Sequence, residues 1–288
     1  MKSHSERLIC ADHQPLIASW HQPEGKPKAA ILIGAALGVA RGFYHDFARY
    51  LAGQGFLVLS FDYRGVGESR IAGQRDDRVQ MACWAEQDLP AALKALQRKA
   101  EGLPLHYIGH SCGGQLLGMV PGATAFQTVT LVGASVPYWK HYNSIGLLSG
   151  LKMWLNWHLF LPLLSLGKKF PARTLGLSKQ DMPSGIIRQW ARWGRQRDYL
   201  FADDHPALVG YERLTMPLLN LGFADDTYAP PSAVLDLADR YTNAFQESRI
   251  ISGERLEQLG GIGHFGFFNE AKSQPLWQEW LAWMAQHR

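Results

Sequence analysis

Cysteine is scarce in this chain, charge is modest, and neither a like-charged block nor a repeat occurs. Cys10, Cys83 and Cys112 are the only thiols among 288 residues, too few and too scattered for a disulfide framework or a Cys-x-x-Cys zinc site. Such usage suits a reducing compartment. Only 19% of residues are charged, and 29 Lys and Arg face 25 Asp and Glu with no block of about five or more like charges. A nucleic-acid arm is therefore excluded. The opening Met1-Lys2-Ser3-His4-Ser5-Glu6-Arg7 lacks the apolar core of a signal peptide, so the expected location is the cytoplasm. What the chain does have is a 47% hydrophobic content, enough for a sizeable core and against wholesale disorder. Because α/β folds commonly spread one domain over about 200 to 250 residues, one domain with a large insertion is the expectation.

Hydrophobic period and turn residues alternate between strands and helices. Arg7 to Cys10 and Leu16 to His21 read as a starting hairpin, and Ala29-Ala30-Ile31-Leu32-Ile33 as a strand buried on both faces. Phe43 to Gln54 then reads as a helix, Leu57 to Phe61 as a strand, Met81 to Ala100 as a helix stopped by Gly102, and Leu105 to Ile108 as the next strand. After a Gly-rich turn come a short helix and a strand at Thr128 to Val132. Pro217 to Gly222, Ser232 to Tyr241, Ser248 to Ser252 and Ala271 to His287 resume the alternation. The pattern predicts a mostly parallel, helix-covered sheet with its site at the carboxyl ends of the strands.

The alternation breaks between Tyr138 and Arg213. This stretch holds five of the ten tryptophans and eleven Lys and Arg against five Asp and Glu. It reads as an inserted helical cap, residues 138–213, on a core of residues 1–137 and 214–288. Ile145 to Gly167 has Lys152 as its only formal charge and approaches membrane-spanning length. Lys152, Asn156, His158 and Pro162 interrupt it, so a buried pair of cap helices is preferred over interfacial contact or a span. The basic side chains Lys168, Lys169, Arg188, Arg192, Arg195 and Arg197 are read first as a solvated face, with an anionic substrate or membrane surface as the second reading.

The most informative residues are Gly109-His110-Ser111-Cys112-Gly113-Gly114, placed after a strand and before a helix. A serine on such a strained turn projects clear of the sheet, and glycine neighbours let the backbone pack closely. Serine needs a positioned base, and the base an orienting acid. His264, in Gly263-His264-Phe265-Gly266 before the last helix, is the candidate base. Counting forward from Gly222 favours Asp225 as the acid, whereas counting back from Pro230 favours Asp226; the second is preferred and the first stays open. Oxyanion donors are expected from the Cys112 N–H and from Ala36 or Leu37 in Gly34-Ala35-Ala36-Leu37-Gly38. The cap aromatics Trp139, Tyr142, Trp154 and Trp157, together with Phe160, Trp190 and Trp193, are the candidates to line an apolar pocket.

On these motifs, with Asp62-Tyr63-Arg64-Gly65-Val66-Gly67-Glu68-Ser69, the chain resembles the α/β-hydrolases, in particular bacterial hydrolases of the serine aminopeptidase and monoacylglycerol lipase group. The resemblance covers most of residues 7–136 and 214–288. It implies an α/β-hydrolase fold and a serine hydrolase acting on a small acyl substrate without metal or cofactor. Where such hydrolases usually carry His-Gly after the first central strand, Gly34-Ala35 stands here. An acyltransferase using the same acyl-enzyme and an idle hydrolase-fold binding protein are the alternatives. A dinucleotide fold is disfavoured because the Gly-x-Gly-x-x-Gly spacing fails.

Overall fold

A computed structural model describes residues 2–70 and 78–287. Among these, ten strands and ten α-helices follow in chain order: β1 Lys2–Ile9, β2 Pro15–Gln22, β3 Ala29–Gly34, α1 His45–Gly53, β4 Phe56–Phe61, α2 Leu89–Ala100, β5 Leu105–His110, α3 Cys112–Gln115 and β6 Thr128–Val132; then α4 Leu147–Leu155, α5 Leu161–Leu164, β7 Lys169–Phe170, β8 Met182–Pro183, α6 Ser184–Gly194, α7 Gly210–Arg213, β9 Pro217–Phe223, α8 Pro231–Ala238, β10 Phe245–Ile251, α9 Gly253–Gln258 and α10 Glu270–Gln286. Eight strands form one sheet in the order β1-β2-β4-β3-β5-β6-β9-β10. The β1–β2 and β2–β4 pairs are antiparallel, and the five pairs from β4 to β10 are parallel. Every residue of β3, β4, β5 and β6 is buried, as befits strands covered on both faces, although β5 carries His106 and His110 and β6 carries Thr128 and Thr130.

Topology places the site. The chain moves from β3 to its neighbour β4 in one direction and from β4 across to β5 in the other. Right-handed crossovers therefore put α1 and α2 on opposite faces. The crevice opens where β3 and β5 lie side by side, at Gly34 and His110. On the α1 face, Phe47 packs 5.0 Å from Trp277 and 5.6 Å from Trp280 of α10, and the Trp280 indole N–H donates to Thr130 Oγ1 of β6. The tryptophans of the last helix thus fasten it to the sheet.

The expected helix from Met81 to Ala100 contains a wider π turn at Trp84–Asp88. Pro90 follows, with no N–H to return to the Glu86 carbonyl, so the tighter ladder cannot close there. The turn aims Asp88 inward, where it accepts from the Arg64 N–H (2.8 Å) and Nε (2.6 Å) while Arg64 also reaches Asp12. Burial pushes the Asp88 carboxyl up to about 6 against the pull of Arg64. This staple joins the loop after β4 to the β1–β2 hairpin.

Between β6 and β9 none of the chain enters the main sheet; its only ribbon is the β7–β8 pair. Helices α4 and α5 run on through a π turn at Asn156–Phe160 as one continuous stretch. The expectation of a buried helix pair fails. Gly150 is the only buried residue of α4, α5 has none, and Leu147 is 82% exposed. Among the described residues no helix is long and apolar enough to cross a membrane.

Candidate active site

Ser111 joins β5 to α3 with φ 51° and ψ −117°. Such a conformation costs a non-glycine residue about 1–3 kcal/mol and persists only where its surroundings enforce it. The Ser111 N–H donates to Val132 O (2.9 Å), and the Ser111 carbonyl accepts from Gly114 and Gln115. The helix is drawn tight against β3. A Cβ on Gly113 would run into the Gly34 carbonyl, and the Tyr107 hydroxyl donates to the Gly113 carbonyl at 2.7 Å. Ser111 thus stands at the head of a helix whose first N–H groups have no helical acceptor.

His264 lies in the loop between α9 and α10. Its Nδ1 is 2.7 Å from Oδ2 of the fully buried Asp226, whose Oδ1 accepts the N–H groups of Tyr228 (2.8 Å) and Ala229 (2.9 Å). Because an ionised carboxylate only accepts, Nδ1 carries the proton and Nε2 is left as the basic nitrogen. Asp225 points elsewhere. Its two oxygens accept the N–H groups of Ile262 and Gly263, both at 2.9 Å, so it braces the backbone of the loop that carries His264. Gly133, at φ +57°, lets the end of β6 pass close to this pair, since a Cβ there would sit 3.3 Å from both Asp226 Oδ2 and His264 Nδ1.

Ser111 and His264 open onto one cavity of about 220 Å³, with Ala36 and Leu37 at its edge and Met153, Trp157, Leu161, Phe170, Ile187 and Trp190 among its walls. Met153, Trp157 and Leu161 recur at four-residue spacing along the α4–α5 stretch, which places them on one helical stripe.

A family model described as serine aminopeptidase, S33, matches residues 25–173, more than half of the chain. The chain belongs to this family. Monoglyceride lipase of Homo sapiens is 33% identical over 109 residues, 38% of this chain and 35% of that protein, so the match spans about a third of that relative's length. Three solved structures share the fold. A soluble variant of monoglyceride lipase from Saccharomyces cerevisiae superposes with TM-score 0.66 at 14% identity, covering 100% of this chain and 95% of that one. An esterase from Exiguobacterium antarcticum gives 0.61 at 14% identity over 98% and 100%, and one from Pyrococcus furiosus 0.59 at 14% over 99% and 91%. At these identities the likeness shows the fold alone, that of the α/β-hydrolases. This S33-family chain is an α/β-hydrolase.

Several expected site residues of the S33 chain are corrected by its geometry. The Ala36 N–H is occupied, donating to the Tyr44 hydroxyl at 2.8 Å, so it is not an open oxyanion donor. The next amide, Leu37, sits second in a turn closed by Val39 N–H to Ala36 O (3.1 Å) with Gly38 at φ +70°, a place whose N–H the turn leaves open. The Cys112 side chain packs against Ala35 O, and burial pushes its thiol pKa up; its backbone N–H heads α3. Tyr142 and Trp157 line the cavity; Trp139 and Trp154 do not. Trp154 turns outward and stacks on His158 at 4.6 Å, while Trp139 packs beside Tyr138 under Lys140. Tyr44 and His110, both fully buried beside the site, went unassigned in the sequence, where the second position of Gly-His-Ser-Cys-Gly was the only signal for His110 and nothing marked Tyr44.

Proposed function

We propose that the protein hydrolyses carboxylic esters with an apolar acyl group through an acyl-Ser111 intermediate, with residues 138–213 as a lid over the pocket. The buried 2.7 Å contact between Asp226 and His264, on the same cavity as the strained Ser111, carries this reading. The Ser111 hydroxyl attacks the ester carbonyl as His264 Nε2 takes its proton, and Asp226 holds the imidazolium through Nδ1–H. Leu37 and Cys112 N–H groups receive the oxyanion. His264 then returns the proton to the leaving alcohol, and water, activated the same way, releases the acid. The wall of Trp157, Leu161, Phe170 and Ile187 suits a hydrocarbon tail, and the human relative's name points to monoacylglycerols as the substrate class.

Such substrates reside in lipid, and the α4–α5 stretch offers a docking face. Leu147, Leu148, Leu151, Leu159, Leu163 and Leu166 are all exposed on the segment whose other side lines the cavity. Lys152, Lys168 and Lys179 lie exposed on and beyond it, favouring an anionic bilayer. Three free cysteines suit a cytoplasmic site of action.

The test is labelling with a fluorophosphonate, wild type against Ser111→Ala, followed by p-nitrophenyl esters from acetate to laurate. Labelling of wild type alone, with rates rising beyond acetate, is expected; activity persisting in Ser111→Ala overturns the mechanism. For the lid, Leu148→Glu with Leu163→Glu should reduce hydrolysis of a monoacylglycerol in phosphatidylglycerol-containing vesicles while sparing p-nitrophenyl acetate. Equal effects on both substrates refute the docking.

A further inference from the structure

A buried relay of hydrogen bonds joins the loops that carry the reacting groups. His110 Nε2 lies 2.8 Å from the His264 carbonyl oxygen, His110 Nδ1 lies 2.9 Å from the Tyr44 hydroxyl, and that hydroxyl lies 2.8 Å from the Ala36 amide nitrogen. Tyr44 and His110 have no solvent exposure, and Ala36 and His264 very little. One proton arrangement satisfies every member. The Ala36 amide can only donate, so the Tyr44 oxygen accepts; the His264 carbonyl can only accept, so His110 Nε2 carries the proton; Nδ1 of the neutral ring then accepts from the Tyr44 O–H. Burial, with His264 beside it, keeps the His110 ring neutral as this arrangement requires.

The relay touches each working part of the site. His110 precedes Ser111, Ala36 precedes Leu37, and the far end is the carbonyl of His264 itself. From Gly34 to Ala40 the loop has no polar side chain of its own, so its orientation must be imposed from outside. Tyr44 fixes the Ala36 N–H and Val39 fixes the Ala36 carbonyl; the trans peptide then turns the Leu37 N–H away from the Val39 amide. We infer that Tyr44 and His110 are positioning residues that register the oxyanion loop and the base loop to the Ser111 elbow. The inference rests on the acyl-serine reading above.

Tyr44→Phe removes only the hydroxyl and keeps the ring against Phe43 and Phe268. Since a lost oxyanion donor costs about 10²–10³ in kcat, a misplaced one should cost about 10- to 100-fold, with KM within about twofold of wild type. A trifluoromethyl ketone, whose hemiketal oxyanion with Ser111 imitates the tetrahedral intermediate, should bind more weakly by a similar factor. His110→Gln, which keeps one donor and one acceptor on a planar group, should retain more kcat than His110→Leu at equal melting temperature. Wild-type kcat and ketone affinity in Tyr44→Phe overturn the inference, as does a change in melting temperature or KM alone. Ser111→Ala separates the two levels. If it stays active, the acyl-serine reading falls; if it is dead while Tyr44→Phe keeps full kcat, only the positioning role falls.

Discussion

Asp226→Asn should silence the enzyme while leaving it folded, because the two oxygens of Asp226 have different tasks. Oδ1 accepts two backbone N–H groups and Oδ2 faces His264 Nδ1. A carboxamide that keeps its oxygen on the two amides presents its NH₂ to Nδ1, which must then become the acceptor. The ring proton moves to Nε2, and the imidazole can no longer take the Ser111 proton. The expected loss in kcat is about 10⁴-fold, the scale found when the acid of a protease triad is made an amide, equivalent to about 5 kcal/mol of transition-state stabilisation. Flipping the amide instead sets NH₂ against two N–H groups, at about 1–3 kcal/mol each, so the wrong tautomer is the cheaper outcome. Asp225→Asn is the control. It opposes one NH₂ to the Ile262 or Gly263 amide, loosening the loop at about 1–2 kcal/mol of stability and about tenfold in kcat. Initial rates on p-nitrophenyl butyrate and thermal melts of both variants decide the matter. The assignment is refuted if Asp226→Asn keeps more than about a tenth of wild-type kcat, or if Asp225→Asn loses as much.

Gly133→Ala should lower kcat more than about tenfold, because its Cβ would crowd both Asp226 and His264 from a left-handed backbone costing about 1–2 kcal/mol; unchanged steady-state kinetics would count against the pair. Met153→Ala should shift the ester chain-length optimum upward, whereas Trp154→Ala, turned away from the cavity, should leave it unmoved. Burial holds His110 neutral and brings His21 down to about 4, so below about pH 6.5 the unfolded chain binds protons that the native one refuses. Stability is then expected to fall on acidification by up to about 1.4 kcal/mol per pH unit per histidine. Asp88, held up at about 6, opposes this between about pH 6 and 4, since its contribution grows as it protonates. Urea melts of wild type and His110→Gln at paired pH values should show the smaller slope in the variant; equal slopes would refute the assignment to His110.

The central strands and the serine turn were legible because both are local. Apolar runs such as Ala29–Ile33 depend only on near neighbours, and so does a glycine-flanked serine between strand and helix. Asp225 and Asp226 could not be separated, since one residue along a turn reverses a side chain and only the partners, 37 and 38 positions away, say which direction matters. The same holds for Ala36 and Leu37: the hydroxyl that occupies the first amide comes from Tyr44, on the far side of an intervening turn. Trp139 and Trp154 were indistinguishable from Trp157 by residue type. Only the helical stripe through positions 153, 157 and 161, seen once the sheet supplied an inside, picked out the pocket face.

The α4–α5 stretch shows why hydrophobicity alone misplaced a whole element. A helix apolar on nearly every side ordinarily belongs in a core or a membrane, yet here one stripe walls the cavity while leucines on other sides meet water. Sinking three of them into lipid would return about 1.5–3 kcal/mol each, and nearby lysines about 1 kcal/mol each at an anionic surface. Association itself costs about 4–15 kcal/mol in lost freedom, so these terms nearly cancel. A face of this size suits contact that forms and breaks with each visit to the bilayer, weakened by salt. That transience fits the proposed lid, whose cavity side would admit a lipid tail and then release the acid.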